Sequence, residues 1–332
     1  ASMTFQSMSS LVTGVAAPHL PYAYDRSWKG LPVLATGRLP PLAHAIARVG
    51  WRTVAVVEDV PNHPGFFDRS GFRDGYAERV TAKGSEEAAD RAARVIREHD
   101  GKAPLWLWYH NFDPHLPYRE WPKYRARGDG PKARYLSETL HADAMVGRVL
   151  DALDASKLGA RTIVVFTADH GEEFGDHGGR GHGETMYEEV LRIPLYVRAP
   201  GWAPRAEDRL FSTTWLVPAL MQLVGITPPP GRGAPEAVDL LRGRPARAPV
   251  ALAQSNPYWV KGGADPRFAV LDGPHKLIFD SARMALELYD VDRDPRERRN
   301  LIDANPEIAA RLRGELARAR LASVEEKPGD GA

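Results

Sequence analysis

The chain has 332 residues, of which 43% are hydrophobic and 26% charged, a balance that predicts one large folded domain or a large and a small one. The formal net charge of +1 lacks the basic excess of a nucleic-acid-binding protein, and the absence of cysteine excludes disulfides, thiolate metal sites and cysteine nucleophiles. No run of eighteen apolar residues predicts a transmembrane helix, and no signal peptide is recognisable.

Short apolar runs bounded by turn residues predict buried strands, and segments with helical spacing lie between them. The predicted strands are 53–57, 105–109, 162–166 and 194–199. The predicted helices are 40–50, 85–101 and 135–157. Strands that alternate with helices favour an α/β fold, in which helices cover both faces of a parallel or mixed sheet.

The composition changes near residues 225–249, which are rich in Pro, Gly and Arg and are typical of a connector. Beyond it, residues 267–279 predict a hairpin, and residues 305–323 predict an amphipathic helix with Asn at its cap and Pro at its first position. We therefore expect a main domain at 1–240 and a small C-terminal α+β subdomain at 241–332.

Polar side chains follow the predicted strand 162–166 where it ends. Asp169 and His170 lie there, and ligands bind beyond the carboxyl ends of strands in open α/β sheets. A carboxylate beside an imidazole suits a hard or borderline divalent cation. The alternative is that Asp169 caps the next turn and His170 is a surface histidine. The glycines of 171–183 favour the site, because they let the backbone approach a ligand closely.

A second predicted strand, 105–109, runs into Asp113 and His115, and Pro114 and Pro117 stiffen this loop. A histidine held on a rigid loop at a strand end is a candidate general acid. The alternative is a structural loop histidine.

Hydroxyl residues crowd the N-terminal segment, and they are Thr4, Ser7, Ser9, Ser10 and Thr13. One interpretation is a helix cap followed by a polar helix. The other is a nucleophile at a helix N-terminus, where the dipole and the backbone N–H groups favour a phosphate or sulfate anion.

These stretches together resemble the sulfatase branch of the alkaline phosphatase superfamily. The matching segments are TFQSMSSLVTG (4–14) for the nucleophile, HNFDPHLPY (110–118), VVFTADHGEEFGDHG (164–178) for the metal motif, YEEVLRIPLYVRAPG (187–201) and LYDVDRDPRERRNL (288–301). The resemblance covers nearly the whole chain. It implies an alkaline-phosphatase-like mixed sheet sandwiched by helices, with a small C-terminal α+β subdomain.

The resemblance also implies a nucleophile and a metal site. Thr4 occupies the nucleophile position and would contact the metal, and Asp169 and His170 match the metal ligands. The implied cofactor is one divalent cation, with Ca, Mg or Mn favoured over Zn. In the family the first strand, with its acidic metal ligands, precedes the nucleophile. Only three residues precede Thr4, so we expect an N-terminally truncated chain that lacks these ligands.

Four further residues carry implied substrate roles. His115 would face the leaving group or a nonbridging oxygen, and His182 falls close to the position at which many members carry a Lys that contacts the transferred group. Asp113 and His177 are predicted substrate-binding residues. The implied substrate is a small-molecule, glycan or lipid ester, and no nucleic-acid partner is expected.

One departure bears on the chemistry. Sulfatases proper oxidise Cys or Ser to formylglycine, but the methyl group of Thr4 prevents formation of that aldehyde, and Met8 stands where the signature has Arg. The sequence therefore predicts a metal-dependent hydrolase of sulfate, phosphate or phosphonate esters that uses a Thr alkoxide, with phosphoester cleavage favoured. The alternatives are a phosphotransferase of the same superfamily and an inactive module that binds anionic head groups.

Overall fold

The computed structural model describes residues 1–20, 22–25, 31–37, 39–59, 65–229, 236–255 and 266–325. The chain forms two compact units, the first made of Ala1–Ala35, Val165–Val197 and Trp202–Ala332, the second of Thr36–Val164 and Arg198–Gly201. The expected domain boundary between residues 240 and 241 stays a prediction.

The described part of the chain contains strands and helices in mixed order. The strands are β1 (Tyr22–Asp25), β2 (Leu31–Leu34), β3 (Arg52–Glu58), β4 (Glu78–Ala82), β5 (Leu105–His110), β6 (Val164–Thr167), β7 (Glu173–Phe174), β8 (Arg180–Gly181), β9 (Leu195–Arg198), β10 (Ala251–Ser255), β11 (Arg267–Asp272), β12 (His275–Asp280) and β13 (Ala285–Asp290). The helices are α1 (Thr4–Thr13), α2 (Leu42–Arg48), α3 (Phe66–Arg69), α4 (Ser85–Glu98), α5 (Pro131–Asp154), α6 (Glu188–Leu191), α7 (Leu216–Leu223), α8 (Ala237–Leu241) and α9 (Pro306–Glu325).

The second unit is built on a parallel sheet in which β3 lies between β4 and β5. The central residues of β3 are buried, as expected for a strand covered on both faces. Val54 and Val56 pack against Ala89 and Ala92 of α4 and Met145 of α5, and the alanines let α4 lie close to the sheet. The predicted strands and helices of this unit are confirmed, although α5 begins at Pro131 rather than at 135.

The C-terminal part of the first unit is an antiparallel sheet in the order β10-β11-β12-β13. One face carries Phe268, Leu277 and Leu288, which pack against Leu312 of α9. The other face carries Ala269, Ile278 and Tyr289, which pack against Met186. The predicted hairpin and final helix are confirmed, because β11 turns into β12 at Gly273 and Pro274 and α9 begins at Pro306.

A second core of the first unit joins α7 and α8. Trp215, Leu216, Leu240 and Leu241 are buried there. The interpretation of 225–249 as a plain connector is wrong for Ala237–Leu241, because these residues form α8 and bury their apolar side chains. Among the described helices, none combines the length and apolar character needed to cross a membrane.

Replacement of Gly75 by Ala tests the packing of the second unit. Gly75 has φ +86°, and a Cβ there would overlap the backbone of Ala43 and His44. We expect Gly75→Ala to lower the free energy of unfolding by about 3 kcal/mol or more, measured by urea denaturation.

The matched control is Gly101→Ala. Gly101 has φ +72° but open space around its Cα, so only the left-handed backbone cost of about 1–2 kcal/mol applies. Equal losses in the two variants would contradict the packing argument.

Candidate active site

Helix α1 presents Thr4 at its first position. The residue before it, Met3, has extended backbone, and no side chain caps the helix. The Thr4 hydroxyl instead hydrogen-bonds to Nε2 of His170 at 3.0 Å. The interpretation of Thr4 as a helix cap is therefore wrong, because Thr4 is the first residue of the helix and Met3 is the cap residue.

The other hydroxyl groups of α1 serve the helix itself. The hydroxyl of Ser7 donates to the carbonyl of Ala1, and that of Thr13 donates to the carbonyl of Ser9. Phe5 and Met8 are buried and hold the helix in the core. Thr4 is thus the residue of this segment whose hydroxyl reaches the end of β6.

His170 has a defined tautomer. Its Nδ1 lies 2.8 Å from the carbonyl oxygen of Gly171, which can only accept, so Nδ1 carries the proton. Burial lowers the pKa of His170, and this outweighs the attraction of the neighbouring Asp169. At neutral pH Nε2 therefore presents a lone pair, which accepts the hydrogen bond from Thr4.

Asp169 brings a second acceptor to the same point. Its Oδ1 accepts from the backbone N–H of His170 at 3.0 Å, and its Oδ2 lies 3.3 Å from Nε2 of His170. Oδ2 of Asp169, Nε2 of His170 and the hydroxyl of Thr4 thus lie close to one another. Because a cation relieves the repulsion between facing acceptors, this donor set fits a divalent cation.

These three residues supply only part of a coordination sphere. The described residues contain no group of three His, Cys, Asp or Glu side chains placed to hold a metal ion. Calcium usually takes about six to eight oxygen ligands. Asp169, His170 and Thr4 would therefore hold the cation from one side, and their role as ligands stays a prediction.

His182 lies beside His170, with ring centroids 4.1 Å apart. Nδ1 of His182 lies 3.1 Å and 3.3 Å from the two carboxylate oxygens of Glu172, so it donates to that carboxylate and the ring is oriented. Glu172 is almost fully buried, with 5% of its side chain exposed. The sequence reasoning missed Glu172, although its position directly after His170-Gly171 was an available signal.

His177 is held by protein groups. Its Nδ1 lies 2.6 Å from Oε1 of Glu189, its Nε2 lies 3.4 Å from the carbonyl oxygen of Glu297, and its ring stacks on Tyr187 at 3.8 Å. Burial opposes the charged ring, but the bond to Glu189 raises the pKa of His177. The structure thus places His177 in a packed ion pair, and its role in substrate binding stays a prediction.

The glycine-rich segment is an ordered loop. The backbone N–H groups of Gly171 and Glu172 donate to the carbonyls of Val190 and Glu189 at 2.8 Å and 2.9 Å. A Cβ at Gly171 would overlap the carbonyl of Glu189, so the approach of these two backbones needs glycine. The short strands β7 and β8 pair between the two ends of the segment. This ladder holds Asp169 and His170 against α6.

Asp113 and His115 lie in the second unit. Oδ2 of Asp113 accepts from the hydroxyl of Ser85 at 2.8 Å and lies 3.2 Å from Nδ1 of the buried His141. The sequence reasoning missed Ser85 and His141, because nothing in their local pattern links them to residue 113. The predicted role of Asp113 in substrate binding is untested.

Glu138 of α5 holds the loop that carries His115. Its two carboxylate oxygens accept from the backbone N–H groups of His115 at 3.2 Å and of Arg119 at 2.8 Å. His115 belongs to the second unit and His182 to the first, and their expected contact with one substrate stays a prediction.

Two models of known protein families match this chain. A family model described as Sulfatase matches residues 1–226, and a model described as N-sulphoglucosamine sulphohydrolase, C-terminal, matches residues 175–322. The chain belongs to the sulfatase family. Members of this family generally use a divalent metal, in keeping with the donor set at Asp169 and His170.

Known proteins support the same family. The chain is 34% identical over 168 residues to Uncharacterized sulfatase YidJ of Escherichia coli (strain K12), over 48% of this chain and 32% of that protein. This sulfatase-family chain spans about a third to a half of the lengths of the first curated relatives it matches.

Solved structures share the fold. The complex of BT4656 with its substrate D-glucosamine-2-N,6-O-disulfate has a TM-score of 0.78 at 16% identity and covers 100% of this chain and 90% of that one. Phosphonate monoester hydrolase of Agrobacterium radiobacter has a TM-score of 0.75 at 18% identity, with 97% and 87% covered. The alkaline-phosphatase-like fold expected from the sequence is confirmed.

We predict that the free energy of unfolding of this sulfatase-family protein depends on pH through Glu138. Burial raises the pKa of Glu138 from 4.5 to about 7, against the backbone N–H groups that favour its charged form. Between pH 4.5 and 7 the folded state keeps a proton that the unfolded state releases. Stability is therefore highest below this window and falls as the pH rises through it, by up to about 1.4 kcal/mol per pH unit from this group.

Urea denaturation at several pH values measures this slope. Glu138→Gln should be less stable overall, because it loses one acceptor, and should show a smaller slope between pH 4.5 and 7. Glu120→Gln is the control, because Glu120 is a half-exposed surface residue. An unchanged slope in Glu138→Gln would refute the assignment.

Proposed function

We propose that the protein is a hydrolase of sulfate esters, with Thr4 as the nucleophile beside a divalent cation held by Asp169 and His170. The observation that carries the proposal is the 3.0 Å hydrogen bond from the Thr4 hydroxyl to Nε2 of His170. It joins a hydroxyl at the start of a helix to His170, whose Nε2 lies 3.3 Å from Oδ2 of Asp169. Sulfate esters are the substrate class that the family and its sulfatase relatives support.

The reaction begins with substitution at the central atom of the anion. Oγ1 of Thr4 forms a bond to sulfur as the bond from sulfur to the ester oxygen breaks, and the proton that the Thr4 hydroxyl loses ends on the leaving alcohol. Water then cleaves the threonyl ester, which releases sulfate and restores Thr4. When bound, the cation lowers the pKa of the Thr4 hydroxyl and neutralises charge on the transferred group.

Residues near Thr4 orient the imidazole rings of His170 and His182. The carbonyl of Gly171 fixes the His170 tautomer, so that Nε2 faces Thr4. Glu172 orients His182 beside His170, and we assign His182 to bind an oxygen of the transferred group. A sugar sulfate fits the proposal best, since a solved relative of the same fold binds D-glucosamine-2-N,6-O-disulfate.

A second candidate is hydrolysis of phosphate or phosphonate esters. Oxidation at Cβ of Thr4 would give a ketone rather than the formylglycine aldehyde, so Thr4 favours direct attack by an alkoxide. The fold shared with a phosphonate monoester hydrolase supports this candidate. Turnover of aryl sulfate, phosphate monoester, phosphodiester and phosphonate substrates with Ca, Mg and Mn separates the two.

Thr4 variants test the nucleophile. Thr4→Ala removes the hydroxyl, and we expect kcat to fall by at least about 10³-fold with little change in stability, because Thr4 caps no backbone group. Thr4→Ser keeps a hydroxyl and should retain measurable turnover. Thr139→Ala, on the exposed face of α5, is the control. Equal turnover in Thr4→Ala and Thr139→Ala would show that Thr4 is not the nucleophile.

Asp169 variants test the metal site without any substrate. Asp169→Asn keeps the shape of the side chain but removes its charge. We expect its affinity for Mn²⁺, measured by titration calorimetry, to fall at least about tenfold. Asp176→Asn, in the same loop, is the control. If the two variants bind Mn²⁺ equally well, Asp169 is not a ligand.

A further inference from the structure

Lys276 is a fully buried cation outside the site described above. It lies on β12 with 0% of its side chain exposed. Its Nζ lies 2.9 Å from Oε1 of Glu188 and 2.9 Å from Oε1 of Glu297, whose side chain is also fully buried. Full burial of Lys276 and Glu297 costs several kcal/mol per ion before pairing, so this triad is a poor device for stability alone.

Glu297 links the triad to the start of α6. Its Oε2 accepts from the backbone N–H of Glu188, the first residue of α6, at 2.6 Å. Its backbone has φ +48°, a left-handed conformation that costs a non-glycine residue about 1 kcal/mol or more. The surrounding contacts hold this conformation, and they include the bond from His177 to the carbonyl of Glu297.

Helix α6 in turn holds the backbone that follows the metal motif. The carbonyls of Glu189 and Val190 accept from the N–H groups of Glu172 and Gly171. Gly171 directly follows His170, and its carbonyl fixes the His170 tautomer. An uninterrupted path of ion pairs and hydrogen bonds therefore runs from Lys276 through α6 to His170.

We infer that Lys276 is a positioning residue, whose ion pairs with Glu188 and Glu297 hold α6 and, through it, the Gly171–Glu172 backbone that places Asp169 and His170. The catalytic side of this inference rests on the proposed function. The positioning of the Gly171–Glu172 backbone is independent of the proposed function, because it is a property of the folded chain.

Leu277 provides a matched control on the same strand. It is as deeply buried as Lys276, but it lies on the opposite face of the sheet and packs in the cluster of Leu288 and Leu312. Leu277→Ala should destabilise the protein through a cavity without touching α6. Lys276→Met removes the charge and keeps most of the side-chain volume.

The primary experiment is hydrogen exchange at the amides of Gly171 and Glu172 in the full chain. The wild type and the two variants are compared at denaturant concentrations that give them the same global free energy of unfolding. Under these conditions Lys276→Met should raise the exchange rates of the two amides at least tenfold. Leu277→Ala should leave these rates within about twofold of wild type. Equal rates in the two variants would overturn the inference.

The second readout is affinity for Mn²⁺ in the same proteins. We expect at least a tenfold loss in Lys276→Met and none in Leu277→Ala. Faster exchange in Lys276→Met together with no ester turnover by wild type would support the positioning inference and contradict the proposed function. Wild-type turnover with unchanged exchange in Lys276→Met would contradict the positioning inference alone.

Glu188→Gln keeps the experiment decisive if Lys276→Met does not fold. It removes one charge of the triad and leaves the pair between Lys276 and Glu297 intact, and 13% of the Glu188 side chain is exposed to solvent. We expect about a threefold rise in exchange at Gly171 and Glu172. No rise would overturn the inference.

Discussion

The contact between the Thr4 hydroxyl and His170 is the constraint on which the candidate active site depends. It joins residues 166 positions apart in the sequence, at 3.0 Å between Oγ1 and Nε2. A hydrogen bond between residues so far apart in the sequence forms only if the surrounding structure holds both Thr4 and His170 in place. Helix α1 holds one partner through buried apolar side chains, and the ladder to α6 holds the other through backbone hydrogen bonds.

Local sequence patterns predicted part of the elements and singled out the end of β6 as the candidate site. Alternation of apolar runs with helical segments indicated β3, β5, β6 and β9, and a carboxylate beside an imidazole after a strand marked the end of β6. The fold class followed from that order and from the family resemblance. Helix α8 was missed, because Pro and Gly around it hide a five-residue helix whose burial only tertiary packing decides.

The partners of the site residues could not be predicted in the same way. Glu172 pairs with His182 ten residues away, and Glu189 pairs with His177 twelve residues away, across turns whose course depends on glycine conformations. The burial of Lys276 between two carboxylates depends on two distant segments of the chain, so its local sequence carries no signal of it. Charged residues are rarely buried, so the residue types alone predict that Glu172, Glu189 and Lys276 are exposed.

The position of α1 in the chain has a consequence for synthesis in the cell. Its turn at Gly14 lies so close to Val217 that a Cβ would approach the valine side chain to 2.9 Å, so the packing partner of α1 follows about two hundred residues later. At roughly 5–20 residues per second, translation reaches that partner about 10–40 seconds after α1 emerges. During this interval Phe5, Met8 and Val12 lack the core that buries them in the folded protein, so the apolar face of α1 stays exposed until the second half of the chain has been synthesised.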